Sequence, residues 1–247
     1  MPGRPPGGSR TLTVVIVKAW LEGDQSDLAA LAELLPTGDV RVEPDGNGGF
    51  CLIANEIDNR PAGVPFYEIA PVVLQRINGL ARVRNASYRP VWLSGRYQEG
   101  DSRHQVVRVG TAECRGQAMP IIPLINGAPV SSQPLSGRRY AALASVDADV
   151  AEVLELMGRP EAPNWVDLYK VYEIIEYTGQ LKVAMAGAGI SSNRVSLFVR
   201  TACHPDAGGP DARHGRSKQD PPKKPMPIGQ AREMIGELVV AWMDLLT

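Results

Sequence analysis

The chain has 247 residues, of which 44% are hydrophobic and 21% are charged, and its formal net charge is -1. This is the composition of an ordinary globular protein with enough apolar material for one large core or two smaller ones. The near balance of charges excludes a global field that would attract nucleic acid or a membrane, so any such attraction has to be local.

The N-terminal region predicts a tail followed by a buried strand. Residues 1–10 are rich in Pro and Gly, which is typical of a disordered tail. Residues 12–20 form a β-branched run that contains Lys18, and this favours a central strand over a signal sequence. No segment has the length needed to span a bilayer. The three cysteines lie far apart and form no C-x-x-C motif. We therefore expect a soluble cytoplasmic protein that does not contact a membrane.

Residues 24–112 alternate between helix and hairpin patterns. Asp24 offers a capping oxygen to a leucine-rich helix that ends at Pro36. A second amphipathic helix is predicted over residues 65–83, where Pro71 must kink the helix or lie in its first turns. Two hairpins are predicted, the first pairing residues 40–43 with residues 50–54 and the second pairing residues 90–97 with residues 105–112.

The character of the chain changes near Ser145, after which the signals are helical. Asp147, Asn164 and either Ser191 or Ser192 can cap three helices, and a fourth apolar-periodic segment covers residues 228–246. The sequence therefore predicts an α+β protein. A mixed strand-and-helix domain with β-hairpins would cover residues 11–144, and a domain resembling a four-helix bundle would cover residues 145–247.

The candidate site is the polar loop at residues 200–224, which is crowded with imidazole and guanidinium groups. Arg200 and His204 are four residues apart, so they share a helix face if the helix reaches His204. That face lies opposite the predicted apolar face, so both side chains would point away from the core. An imidazole can transfer protons and a guanidinium can bind a phosphate, whereas a solvated Arg beside a helix-ending His is the plainer interpretation.

Further along the same loop, Arg213, His214 and Arg216 could converge on an anion, because Gly215 lets backbone amides approach. The alternative is a hydrophilic turn in which Arg213 pairs with Asp206 or Asp211. Three lysines and three prolines complete the loop and form a basic, stiff stretch that could contact a phosphate backbone or serve as a linker. These residues are Lys218, Lys223, Lys224, Pro221, Pro222 and Pro225.

The other chemical patterns are incomplete. Cys203, His204 and His214 lie beside two aspartates, but their spacing matches no zinc pattern, so no metal site is predicted. The glycines of residues 184–193 precede a predicted helix but lack the full dinucleotide-binding spacing, so no cofactor is predicted either.

Two sequence motifs suggest relatives for the C-terminal third. W-x-D-L-Y-K-x-Y-E-I-I at residues 165–175 and A-R-H-G-R at residues 212–216 resemble a group of bacterial proteins of unassigned activity. More loosely, residues 146–247 resemble HEPN-type helical bundles. That resemblance implies a metal-independent ribonuclease or an RNA-binding homodimer of toxin or phage-defence systems, with His204 and Arg200 as catalytic residues. Only three residues separate Arg200 from His204, which is fewer than the HEPN motif has.

Three functional hypotheses follow. The preferred one is a binding or scaffold protein that engages a protein, a nucleic acid or another phosphate-bearing ligand through Arg213, His214, Arg216 and Lys218. The second is a HEPN-like ribonuclease in which His204 is the general base or acid and Arg200 or Arg213 stabilises the phosphate. The third is a small-molecule enzyme acting between the two domains, for which the sequence names no residues.

Overall fold

A computed structural model of the chain describes residues 15–106 and 134–247 together with two short strands between them. It has an α+β architecture, as predicted. The predicted tail at residues 1–10 lies outside the described residues. In chain order the elements are β1 (Val17–Glu22), α1 (Gln25–Leu34), β2 (Val40–Pro44), β3 (Phe50–Ala54), α2 (Asn55–Asp58), α3 (Phe66–Arg84), β4 (Trp92–Glu99), β5 (Ser102–Gln105), β6 (Leu124–Ile125), β7 (Ala128–Pro129), α4 (Pro134–Ala144), α5 (Ala148–Met157), α6 (Trp165–Tyr177), α7 (Leu181–Gly187), α8 (Ser192–Cys203), α9 (Pro205–Gly208), a single 3-10 turn (Gly209–Asp211) and α10 (Ile228–Leu245).

The first five strands form one antiparallel sheet in the order β2-β3-β1-β4-β5. Strand β1 is central, as predicted, and pairs Ala19 with Leu52 on one side and with Tyr97 on the other. Alternate residues of β1 are buried against the helices that cover one face, because successive side chains of a strand point to opposite faces. The strand begins later than predicted, since Val15 and Ile16 precede it and are exposed.

The first predicted hairpin is confirmed, and the second has a different register. Strands β4 and β5 pair Glu99 with Ser102, so the turn consists of Gly100 and Asp101 alone. Gly100 has a φ of 55°, which the tight two-residue turn favours. The polar residues 98–103, predicted as a loop, therefore lie mostly in paired strands. Residues 107–112 of the predicted second strand lie outside the described residues.

Helices α3 and α5 cross with their backbones in close contact. A Cβ atom on Gly79 would clash with the carbonyl oxygen of Leu154, and one on Gly158 would clash with the carbonyl oxygen of Gln75. The buried side chains on both sides of this crossing belong to one continuous hydrophobic cluster. The division into two domains at residue 145 stays a prediction, but the core does not stop there.

The C-terminal helices begin where their capping residues predict. Asp147, Asn164 and Ser191 accept hydrogen bonds from the first turns of α5, α6 and α8, and Asn164 completes a capping box with Asp167. Helices α4 and α7 were not predicted. Both are short, and the Gly and Pro residues around them make their apolar periodicity hard to recognise in the sequence. No helix in the described part of the chain is both long and apolar enough to cross a bilayer.

A buried carboxylate in α1 makes stability depend on pH. Asp27 is 7% exposed, and its Oδ2 atom accepts no hydrogen bond from any of the described residues. Burial raises the pKa of Asp27, so the folded state binds its proton more tightly than the unfolded state does. The charged form therefore destabilises the fold at neutral pH, and this cost disappears as the pH falls through the folded-state pKa.

We expect Asp27→Asn to raise the free energy of unfolding at neutral pH by up to about 1 kcal/mol, because the amide carries no charge to desolvate. Urea unfolding should show the gain shrinking as the pH is lowered to about 4. Asp24→Asn is the matched control, because hydrogen bonds from Ser26 lower the pKa of Asp24 and its pH dependence has the opposite sign. A less stable Asp27→Asn protein at neutral pH would contradict the prediction.

Candidate functional site

The candidate site begins on α8. The predicted apolar face of this helix is confirmed, but the predicted orientation of His204 at its end is not. Val195, Phe198 and Ala202 are buried as predicted, and Arg200 is exposed as predicted. The prediction that His204 points away from the core is wrong, because its side chain is only 6% exposed. The helix ends at Cys203, and His204 has the extended backbone of a cap residue, with φ -98° and ψ 122°. This turns the imidazole off the face that it would share with Arg200.

Both ring nitrogens of His204 hold the following loop. Nδ1 accepts the backbone N–H of Asp206 at 3.1 Å and so caps α9. Nε2 lies 2.7 Å from the carbonyl oxygen of Gln219 and donates to it, since a carbonyl can only accept. The neutral Nε2–H tautomer satisfies both contacts. His204 therefore connects the end of α8 to a residue fifteen positions further along the chain.

Thr201 holds the far end of the loop. Its hydroxyl donates to the carbonyl oxygen of Leu197 at 2.8 Å and accepts the backbone N–H of Met226 at 3.1 Å. Both Thr201 and Met226 are buried, so this contact is shielded from water. The loop that starts after α8 is thus attached to α8 again immediately before α10 begins.

Arg213 holds the middle of the loop against α6. Its guanidinium lies 2.8 Å from the Glu173 carboxylate and 4.4 Å from the centre of the Tyr169 ring. Its backbone N–H donates to the carbonyl oxygen of Ala202 at 2.8 Å. The alternative interpretation, in which Arg213 pairs with Asp206 or Asp211, is wrong, because the side chain contacts α6 instead. No sequence signal marks this contact, since Glu173 and Arg213 are forty positions apart.

The charged side chains of the loop after Arg213 are exposed to solvent. We call residues 213–224 the basic segment; it contains five Arg or Lys residues, one His and one carboxylate, Asp220. His214, Arg216 and Lys218 are exposed, as are Lys223 and Lys224. Within the described residues, none of these five side chains forms an ion pair. Arg216 donates only a long hydrogen bond, at 3.4 Å, to the carbonyl oxygen of Gly215.

The predicted site residues therefore fall into two groups. His204 and Arg213 lie in the contacts that hold the loop, whereas Arg200, His214, Arg216 and Lys218 are free to meet a ligand. Within the described residues, no hydrogen bond or ion pair joins Arg200 to His204, and no three His, Cys, Asp or Glu side chains form a group that could hold a metal. The arrangement can attract an anion at the exposed cations, while the imidazole of His204 has no free nitrogen for proton transfer. Comparison of the chain with models of known protein families, with curated proteins and with solved structures found no match.

Proposed function

We propose that this protein binds the phosphate backbone of a nucleic acid through the basic segment. The observation that carries the proposal is a set of four exposed cations that form no ion pair with any described residue, on a loop attached to the helices at its start, middle and end. These cations are Arg216, Lys218, Lys223 and Lys224. Phosphates release counterions when they are neutralised by Arg and Lys, and this favours binding without any base recognition. The near-neutral charge of the whole chain does not oppose it, because such attraction acts within about 10 Å at ordinary salt.

The composition of the basic segment favours a nucleic acid over a protein partner. Residues 213–224 contain no aromatic or aliphatic side chain other than two prolines, and Pro222 is buried. Protein interfaces draw most of their affinity from a few buried aromatic or aliphatic anchors and from Arg. Phosphate contacts need only positive charge and hydrogen-bond donors, which this segment has.

The attachments of the loop add to the affinity of such contacts. A free flexible loop would lose conformational entropy when it orders on a ligand. Here Thr201, His204 and Arg213 already restrict the backbone through the hydrogen bonds described above. The cations are thus presented from a loop that is ordered before any ligand binds, and only their side chains have to be immobilised.

The test measures binding of a short fluorescein-labelled single-stranded RNA to the full chain by anisotropy over a series of salt concentrations. For the wild type, the logarithm of the association constant should fall linearly with the logarithm of salt, with a slope of about -0.7 for each phosphate neutralised. In Arg216→Gln/Lys218→Gln the slope should become less negative by about 1.4, since two phosphate contacts are removed, and affinity at low salt should fall about tenfold or more.

The matched control is Arg103→Gln/Lys182→Gln, which removes one arginine and one lysine that are exposed elsewhere. Its RNA affinity should stay within about twofold of the wild type, because the basic segment is intact. Equal losses in both double variants would mean that net charge alone drives binding and would overturn the proposal. Absence of RNA binding by the wild type, with capture of an acidic peptide instead, would also overturn it in favour of a protein partner.

The ribonuclease hypothesis makes a different prediction for the same sample. If the RNA is cleaved during the titration, and His204→Ala abolishes the cleavage while Arg103→Gln/Lys182→Gln keeps it, the protein is an enzyme rather than a binding module. We expect intact RNA throughout, because both nitrogens of His204 are engaged in hydrogen bonds.

A further inference from the structure

A cleft of about 490 Å³ lies on a part of the molecule that the basic segment does not form. The cleft is lined by Arg82 of α3, by residues 86–90 and Trp92 after that helix, by the end of α5 and its connection to α6, and by Arg232 of α10. A volume of this size accommodates a small organic ligand such as a nucleotide.

Arg82 of α3 lies in this cleft and forms no ion pair with a carboxylate in the described part of the chain. Its Nη1 atom donates to the backbone carbonyl oxygens of Met157, Arg159 and Glu161 at 2.7, 2.8 and 3.2 Å. These carbonyls orient the guanidinium but do not neutralise its charge. Burial, and then the nearby positive charge of Arg232, lower the pKa of Arg82, whereas Tyr88 and Glu161 oppose this shift. Arg82 is half-buried, and the described residues offer it carbonyl oxygens rather than an ion pair, so an anion placed here would offset part of the cost of its desolvation.

Arg232 of α10 supplies a second cation. Its Nε atom donates to the carbonyl oxygen of Pro163 at 2.8 Å, and its two terminal nitrogens make no hydrogen bond to any described residue. Burial lowers the pKa of Arg232 as well. A guanidinium held by one nitrogen, with its terminal fork free, is suited to binding a phosphate or carboxylate through two parallel hydrogen bonds.

The remaining charges on the cleft wall do not cancel these two. Arg89 adds a third guanidinium, but it forms ion pairs with Asp24 and Asp27 at 3.7 Å, so its charge is already compensated. Among the described residues that line the cleft, the one carboxylate is the exposed Glu161, whose backbone carbonyl already bonds Arg82. Arg82 and Arg232 therefore outweigh Glu161, and the cleft wall has a small net positive charge.

The rest of the lining is apolar and includes an exposed aromatic ring. Met157, Pro160 and Pro163 line the cleft together with Trp92, which has 56% of its surface exposed. The indole nitrogen of Trp92 donates to Glu22 at 3.2 Å, which restricts the ring at the start of β4. A large exposed indole beside a positive cleft is suited to stacking on a planar ring.

We propose that this cleft binds a small phosphorylated ligand with a planar ring, of the nucleoside monophosphate class. Arg232 and Arg82 would face the phosphate, and Trp92 would contact the ring. The site is separate from the basic segment, so it would persist if the nucleic-acid proposal failed.

Calorimetric titration of the full chain with adenosine monophosphate and with inorganic phosphate tests the proposal. The nucleotide should bind with a dissociation constant between about 1 μM and 1 mM and about tenfold more tightly than phosphate.

Arg232→Gln should weaken nucleotide binding about tenfold or more, because it removes the free guanidinium fork. Trp92→Ala should abolish the preference for the nucleotide but leave phosphate binding unchanged. Arg82 is not substituted, since loss of its three backbone contacts could unfold the connection.

Two controls make the result decisive. Arg194→Gln also removes a half-buried arginine that contacts α10, through Glu237 at 2.8 Å, but it lies outside the cleft and should leave nucleotide affinity unchanged. The Arg216→Gln/Lys218→Gln variant should also bind the nucleotide normally. Absence of nucleotide binding by the wild type, equal binding by Arg232→Gln, or loss of binding in either control would overturn the proposal. Phosphate binding as tight as nucleotide binding would overturn the role of Trp92.

Discussion

Phe198→Ala should lower the free energy of unfolding by about 3–5 kcal/mol, because it empties a fully enclosed aromatic site. Phe198 on α8 has 0% exposure. Its ring centre lies 6.1 Å from that of Trp165, 6.3 Å from Tyr169 and 5.9 Å from Tyr172, all of which belong to α6. Truncation would remove these contacts and leave a cavity that the three large rings cannot easily close.

The variant should affect the candidate site as well as stability. Helix α8 carries Thr201 and ends immediately before His204, and α6 carries the side-chain partners of Arg213, so loosening the contact between these helices weakens every attachment of the basic segment. Urea unfolding should report the loss of stability, and hydrogen exchange should report faster opening of residues 213–226. Phe198→Leu is the control and should lose less than about half as much, since it keeps most of the buried volume. Equal stability of Phe198→Ala and the wild type would contradict the packing described here.

Gly158→Ala should lower the free energy of unfolding by about 3 kcal/mol, because its new methyl group has no space at the crossing of α3 and α5. The atom in its way is the carbonyl oxygen of Gln75, which is backbone and cannot rotate aside. Gly79→Ala should cost a similar amount through the carbonyl oxygen of Leu154. Relieving either clash would separate two helices that Arg76 and Glu155 also join at 2.8 Å.

Gly229→Ala is the matched control for this prediction. Gly229 lies in the first turn of α10, and an added Cβ would meet nothing within 4 Å. Alanine is the better helix former, so this variant should be unchanged or more stable by up to about 1 kcal/mol. Thermal or urea unfolding of the three variants checks the contrast. If Gly158→Ala were as stable as Gly229→Ala, the close crossing of α3 and α5 would be wrong.

The two proposed sites use elements that converge on α6. Arg232 bonds the residue before the Asn164 cap, while Arg213 lies on Tyr169 and Glu173 within the helix itself. Gly208 packs near the Trp165 ring at the first turn. Helix α6 therefore supports both the cleft and the basic segment, although each proposal rests on its own residues.

Much of the fold was predictable from local signals. The caps Asp24, Asp147, Asn164 and Ser191 mark where helices begin, because a side-chain oxygen that accepts from the first turn acts within three residues of itself. The first hairpin follows from two short apolar runs around a Gly-rich turn. Such contacts depend on neighbouring residues alone, so the sequence contains all the information that they need.

The arrangement of charged groups was predictable only in part. The exposure of the basic segment follows from its composition, since nothing apolar there could be buried. The inward position of His204 depends on Gln219, and the pairing of Arg213 depends on an α6 carboxylate, so both needed the packed structure. Arg82 and Arg232 looked like ordinary helix arginines, and only the tertiary structure brings them to one cleft.

Local patterns were enough to predict the class of the fold, the start of most C-terminal helices and the location of the exposed cations, because periodicity, caps and turn residues act over a few positions. Which imidazole and guanidinium groups hold the loop, and which remain available to a ligand, depended on packing between distant segments. A charged side chain takes its partner from whatever that packing brings near it, and helices α3, α6, α8 and α10 approach one another only after the whole core has formed.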